Sequence, residues 1–253
     1  MNRWLRRLGW VIALMVVFSA TLEVYMRWPS TAELSPLGLD EDTRYLLLLV
    51  HGSGGSKEPT FIEMEQRLNE AFADDPQVAV VRLVWAPHDN RRRSYVLGHR
   101  LGTAIGRELA MLPELTDIRL VAHSAGAYFL DPICVAYRNQ VDPDVRTFIE
   151  MTFLDGIGIA GGWDYDWGYR NHGHCADFAR SIYTTNDWAP GHNEPYDYAH
   201  NIDVTESLAR RTFDRPGHYY PIRYFLSHLV SEQQPRQRSH MNLPRGAVHV
   251  AED

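Results

Sequence analysis

An α/β fold with a mostly parallel sheet and helices on both faces is the class the sequence predicts, and three observations point to it. The run YLLLLV at 45–50 is apolar at every position, as a strand covered on both faces is, and four later stretches of five to seven residues are rich in apolar residues. The stretches between them carry apolar residues at spacings of three and four, the period of a helix with one buried face. Strand and helix patterns also alternate along the chain, which favours parallel pairing through crossover helices.

Residues 1–28 stand apart from this pattern. Arg3, Arg6 and Arg7 precede the apolar run LGWVIALMVVFSATL, and Tyr25, Arg27 and Trp28 follow it. Charge followed by an apolar stretch is the order of an export signal. The run is short for a membrane span, yet the flanking aromatics suit an interface and would extend it into an anchor. Ser19 and Ala20 leave cleavage open. With positive charge at the start, the remainder is expected outside the cytoplasm, either exported or held in the inner membrane.

Residues 29–44 read as a polar linker. The run YLLLLV at 45–50 is the first strand, and 78–84, 118–122, 148–154 and 178–184 read likewise. Phe61, Met64, Leu68 and Phe72 mark one intervening helix, and Leu97, Leu101, Ile105 and Leu109 mark another. Pro132 falls in the helix expected after residue 124, where it removes a donor and predicts a kink or an early end. The stretch GGWDYDWGYRNHGHC at 161–175 has neither period and reads as an ordered loop. One α/β domain over 45–230 follows, with 231–253 expected as a flexible tail.

Composition narrows the function. The chain has 253 residues and a formal net charge of -7, and its one basic run is Arg91 to Arg93, so a nucleic-acid partner is not expected. Cys134 and Cys175 allow a single disulfide without requiring one. His172, His174 and Cys175 with Asp164 or Asp166 match no common zinc spacing, so no metal is expected there.

The chemistry concentrates where the strand at 118–122 meets AHSAG, which puts Ser124 on a strand-to-helix turn flanked by Ala122, Ala125 and Gly126. Such a turn lifts the hydroxyl above the sheet edge where open parallel sheets bind ligands. A helix N-cap is the plainer role for the same serine. Two further segments arrive in register with a catalytic role: HGSGG at 51–55 directly after the first strand, and His218 in PGHYYPIRYF.

Together AHSAG, HGSGG and the downstream histidine resemble the α/β-hydrolase superfamily, in its lipase and esterase branch, with Ala122 replacing the first glycine of the nucleophile motif. The resemblance spans about 45–229. It implies Ser124 as nucleophile, His218 as general base and, from its place after a strand in TFLDG, Asp155 as the acid that orients the histidine. Asp187, in YTTNDW after the next strand, remains the alternative acid, with Asp203 a more distant one. The backbone N–H groups of Ser53 and Ala125 are implied as the oxyanion hole. The implied activity is cleavage of a small-molecule or lipid ester through an acyl-enzyme, with no metal or organic cofactor. An acyltransferase or peptidase would use the same residues, and a binding protein keeping only the fold is a further alternative. His51, His123 and His228 are assigned to shaping the loop, to the turn and to a helix surface. Trp163, Tyr165 and Trp167 either line a pocket or cover a surface loop.

Overall fold

The computed structural model describes residues 3–85, 91–144, 147–186, 193–234, 237–238 and 243–252. In chain order its elements are α1 (Arg3–Arg27), β1 (Tyr45–Val50), α2 (Pro59–Ala71), β2 (Val78–Leu83), α3 (Ser94–Leu109), β3 (Asp117–His123), α4 (Ala127–Arg138) and β4 (Phe148–Leu154). They continue with α5 (Trp167–Asn171), β5 (Phe178–Tyr183), β6 (His200–Asp203), α6 (Leu208–Arg211), α7 (Tyr220–Tyr224) and β7 (Val248–Val250). The seven strands form one sheet in the order β2-β1-β3-β4-β5-β6-β7, and each neighbouring pair is parallel.

Both faces of the sheet are covered, which is why β1 is apolar at every position. Leu46, Leu48 and Val50 pack into one cluster with α3 and α4. Tyr45, Leu47 and Leu49 pack into the other, with α2 and α7. Burying each such aliphatic side chain contributes about 1.5 to 3 kcal/mol, so a polar residue anywhere in this strand would be costly.

The register levels the strand ends. Val50 lies opposite Ala122 and His123 lies opposite Leu154, so the residues that follow β1, β3 and β4 emerge side by side at the carboxyl edge. That places the 51–55 loop, Ser124 and Asp155 next to one another.

Two expectations are corrected. The early end expected at Pro132 does not occur, and the helix runs on to Arg138. The reason is its packing on α3: a Cβ at Gly102 would stand 2.6 Å from the Phe129 carbonyl oxygen, and one at Gly106 2.3 Å from that of Ile133. Contact this close along the helix outweighs the roughly 3 kcal/mol that an interior proline costs. The stretch 231–253 also carries the edge strand β7, paired to β6. Arg119, fully buried on β3, holds the segment before it by donating to the carbonyl oxygens of Glu232, Gln234 and Gln237. A three-residue edge strand and a tether from a distant arginine leave no periodic signal.

Cys134 on α4 and Cys175, just before β5, are joined in a disulfide that closes a separation of 41 residues. Constraining a loop of that length in the unfolded chain is worth roughly 4 kcal/mol. Replacing both cysteines with alanine is therefore expected to lower the urea-unfolding free energy by about that amount, and an unchanged midpoint would contradict it.

Candidate active site

Ser124 has φ 53° and Asp155 has φ 48°, and these are the two non-glycine residues in the left-handed region among those described. A residue held there costs on the order of 1 kcal/mol or more and persists only when its surroundings impose it. At Ser124 they do: a Cβ on Gly52 would stand 2.7 Å from the Ser124 Cβ, and one on Gly126 2.4 Å from the Val50 carbonyl oxygen. Glycines are required at both positions for the 51–55 loop and the turn to meet. The serine does not serve as a cap. The N-cap of the turn Ser124–Gly126 is His123 and that of α4 is Gly126, neither with a side-chain cap.

His218 and Asp155 are brought together. His218 Nδ1 lies 2.7 Å from Asp155 Oδ2, and the carboxylate is fully buried. Its other oxygen accepts from the Thr184 N–H at 3.1 Å, and the Asp155 N–H donates to the Ile182 carbonyl at 2.8 Å. With its proton on Nδ1 and directed at the carboxylate, a neutral His218 carries its lone pair on Nε2.

The loop carrying His218 is fixed from two further sides. His123 Nε2 donates to the His218 carbonyl oxygen at 2.9 Å, and the two rings lie 4.6 Å apart. Arg215 forks onto both carboxylate oxygens of Glu58 at 2.7 Å each and lies 4.3 Å over the Tyr219 ring. Burial alone would raise the Glu58 carboxyl, but the hydrogen bonds from Arg215 outweigh it and hold the group below the ordinary range. Sequence reasoning missed Glu58 and Arg215 altogether and saw His123 only as part of the turn. The Glu-Pro pair opening α2 is the one signal that marks Glu58, as a helix N-cap.

His51 shapes the loop it begins. Its Nε2 accepts the Trp85 backbone N–H at 3.3 Å, so Nδ1 carries the proton and donates to the Gly52 carbonyl at 2.6 Å. The Trp85 indole N–H donates to the His51 carbonyl at 2.7 Å. Ser53 and Ala125 line the same cavity as Ser124 and His218. Ala125 lies in the first turn of a helix, where backbone N–H groups lack intrahelical acceptors.

That cavity holds about 540 Å³, enough for a small organic group or part of an acyl chain. Tyr128, Ile157, Ile159 and Met26 supply apolar walls. Trp163 and Tyr165 are exposed and stand outside it, while Trp167 packs on Tyr95 at 5.0 Å. The alternative acid Asp187 lies outside the described residues. Asp203 accepts from the Thr205 N–H at 2.9 Å.

A separate polar cluster gathers on α4. Asp131 is buried, with His174 Nδ1 3.2 Å and His172 Nδ1 3.5 Å from its oxygens and the Gly173 N–H donating at 2.9 Å. Burial alone would raise the Asp131 carboxyl, yet the two imidazoles and the N–H outweigh it and bring it down to about 2. The bond to Asp131 in turn raises His174 to about 9. A pKa raised on folding gives stability that is complete below the ordinary value near 6.5 and is lost as pH climbs through about 9. The melting temperature is therefore expected to fall between pH 7 and 10, and His174→Gln to remove part of that fall. Parallel curves for the two proteins would refute it. Cys175 is held in the disulfide, and among the described residues no three His, Cys, Asp or Glu side chains are arranged so that they could hold a metal ion.

No family model matches the chain, and neither does any curated protein.

Proposed function

We propose that the chain is an α/β-hydrolase that cleaves carboxylic esters through an acyl-enzyme, with Ser124 as nucleophile, His218 as general base and Asp155 as the acid that orients it. The observation that carries this reading is the 2.7 Å bond from His218 to the fully buried Asp155, with His218 in the cavity that also contains a serine in a strained strand-to-helix turn.

In this mechanism Nε2 of His218 removes the Ser124 hydroxyl proton as Oγ attacks the ester carbon, and the carbonyl π pair moves onto oxygen. The backbone N–H groups of Ser53 and Ala125 receive that charge, a role worth about 3 to 4 kcal/mol per donor. Collapse expels the alcohol, which takes the proton back from the imidazolium, and leaves the acyl group on Oγ. Water repeats the sequence and releases the acid. Asp155 keeps the proton on Nδ1 and stabilises the imidazolium without itself being protonated. Helix α1 holds the protein in a membrane, with the catalytic domain on the side opposite Arg3, Arg6 and Arg7. No metal or organic cofactor takes part in these steps.

The test is turnover of p-nitrophenyl butyrate combined with mass analysis of acid-quenched protein. Release of the acid, with a transient butyryl adduct on Ser124, is expected. Folded protein that neither turns over the ester nor acquires the adduct would overturn the reading.

A further inference from the structure

Helix α1 does not merely precede the domain, because its last turn is built into the mouth of the cavity. Arg27 pairs with Glu23 and donates to the Ala160 carbonyl at 2.8 Å, while the Gly162 N–H donates to Glu23 at 2.5 Å. Arg93 donates to the Trp28 carbonyl at 2.8 Å and lies 5.3 Å over the Tyr25 ring. Met26 and Gly161 then stand together on the wall of the Ser124 cavity.

Further along α1 lies a second, separate groove. It holds about 570 Å³ and follows the α1 face made by Ile12, Val16, Ala20 and Val24, and Trp163 lies along it. Trp163 is 66% exposed and Val24 57%. None of the 25 residues of α1 is buried, and its most apolar 18-residue window has a mean hydropathy of 1.9. At about 1.5 Å per residue a helix of this length reaches roughly 37 Å, against about 30 Å for the hydrocarbon of a bilayer. Its apolar surface far exceeds the few hundred Å² that a soluble monomer leaves bare, so hydrocarbon is the medium that covers it. Tyr25, Trp28 and Trp163 then fall at the boundary where aromatic rings settle.

We propose that α1 stays attached, that its Met26 is a wall of the substrate cavity, and that the cavity opens onto the bilayer surface. The ester is taken from membrane lipid, its acyl chain passing Met26 and Trp163 while the rest remains in hydrocarbon. This rests on the ester-hydrolase reading and narrows it to a lipid-resident substrate.

The experiment uses the full chain in phosphatidylcholine vesicles. An environment-sensitive dye is attached to Trp163→Cys or, at the opposite end of the sheet, to the exposed Met111→Cys. Quenching by brominated phosphatidylcholine is expected at 163 and not at 111. An oleoyl ester embedded in the vesicles should be hydrolysed, and Met26→Trp should shift the oleoyl-to-acetyl ratio of kcat/KM by about ten-fold or more. Equal quenching at the two positions overturns the proposal, as does dye self-quenching that marks a second copy on this face. Hydrolysis of a soluble acetyl ester without the embedded one also overturns it and leaves the hydrolase reading intact. Loss of both activities removes that reading and the proposal with it.

Discussion

Ser124→Ala is expected to lower ester turnover by about 10⁶-fold, because removing the nucleophile of such a triad costs as much as removing the whole triad. A residual rate of about 10³ to 10⁴ over water would persist from the backbone donors and from binding. The fold should survive the change. Alanine is smaller than serine, its side chain fills the same buried position, and no cap is lost. The left-handed φ of 53° strains alanine about as much as serine, so the two proteins should unfold at similar denaturant concentrations. Turnover of a short acyl ester by the variant within ten-fold of the parent rate would show that another group attacks.

Asp155→Asn should lower kcat by about 10⁴-fold with little change in KM. The geometry explains why so small a change would be so damaging. One oxygen of Asp155 accepts from the Thr184 N–H and the other from His218. An asparagine has a single acceptor, and the backbone N–H cannot adapt, so the oxygen turns to Thr184 and the amide NH₂ faces the imidazole. His218 must then accept at Nδ1 and carry its proton on Nε2, where it cannot take one from Ser124. Asp187→Asn is expected to lose far less. The reverse ranking of the two variants, measured as kcat on one ester, would transfer the orienting role to Asp187.

The parts of the fold that were legible are those where one physical constraint acts on consecutive residues. Burial on both faces makes β1 a continuous apolar run, and one-sided burial gives α2 and α3 their period. The expected bounds of β1 to β5 fall within one residue of their observed ends. What escaped has no such repetition. β6 has four residues and β7 three, too few to establish a pattern. Pro132 is tolerated because of contacts supplied by α3, and a local rule cannot see them. Two cysteines permit the disulfide without requiring it, because pairing depends on a distance in the folded chain.

Ser124, His218 and Asp155 announced themselves through their neighbours: small residues at a turn, and a carboxylate placed directly after a strand. Glu58, at the N-cap of α2, and the ring of His123, at the end of β3, act across the fold on the loop that carries Arg215 and His218, more than ninety positions from either. Their contribution is to hold the His218 loop still, and only the assembled sheet edge discloses it. Helix α1 is similar. Its composition shows only a charged start and a long apolar run, whereas the bonds that tie Glu23 and Arg27 to the 160–162 loop join it to the cavity mouth.

The central claim, an activated serine at the end of β3, is tested most directly by treating the folded protein with a fluorophosphonate and mapping the modified peptide by mass. The account predicts one phosphonyl group per chain, on Ser124, and none on the Ser124→Ala variant. Intact protein that takes up no phosphonate, or takes it up on another residue, would contradict it.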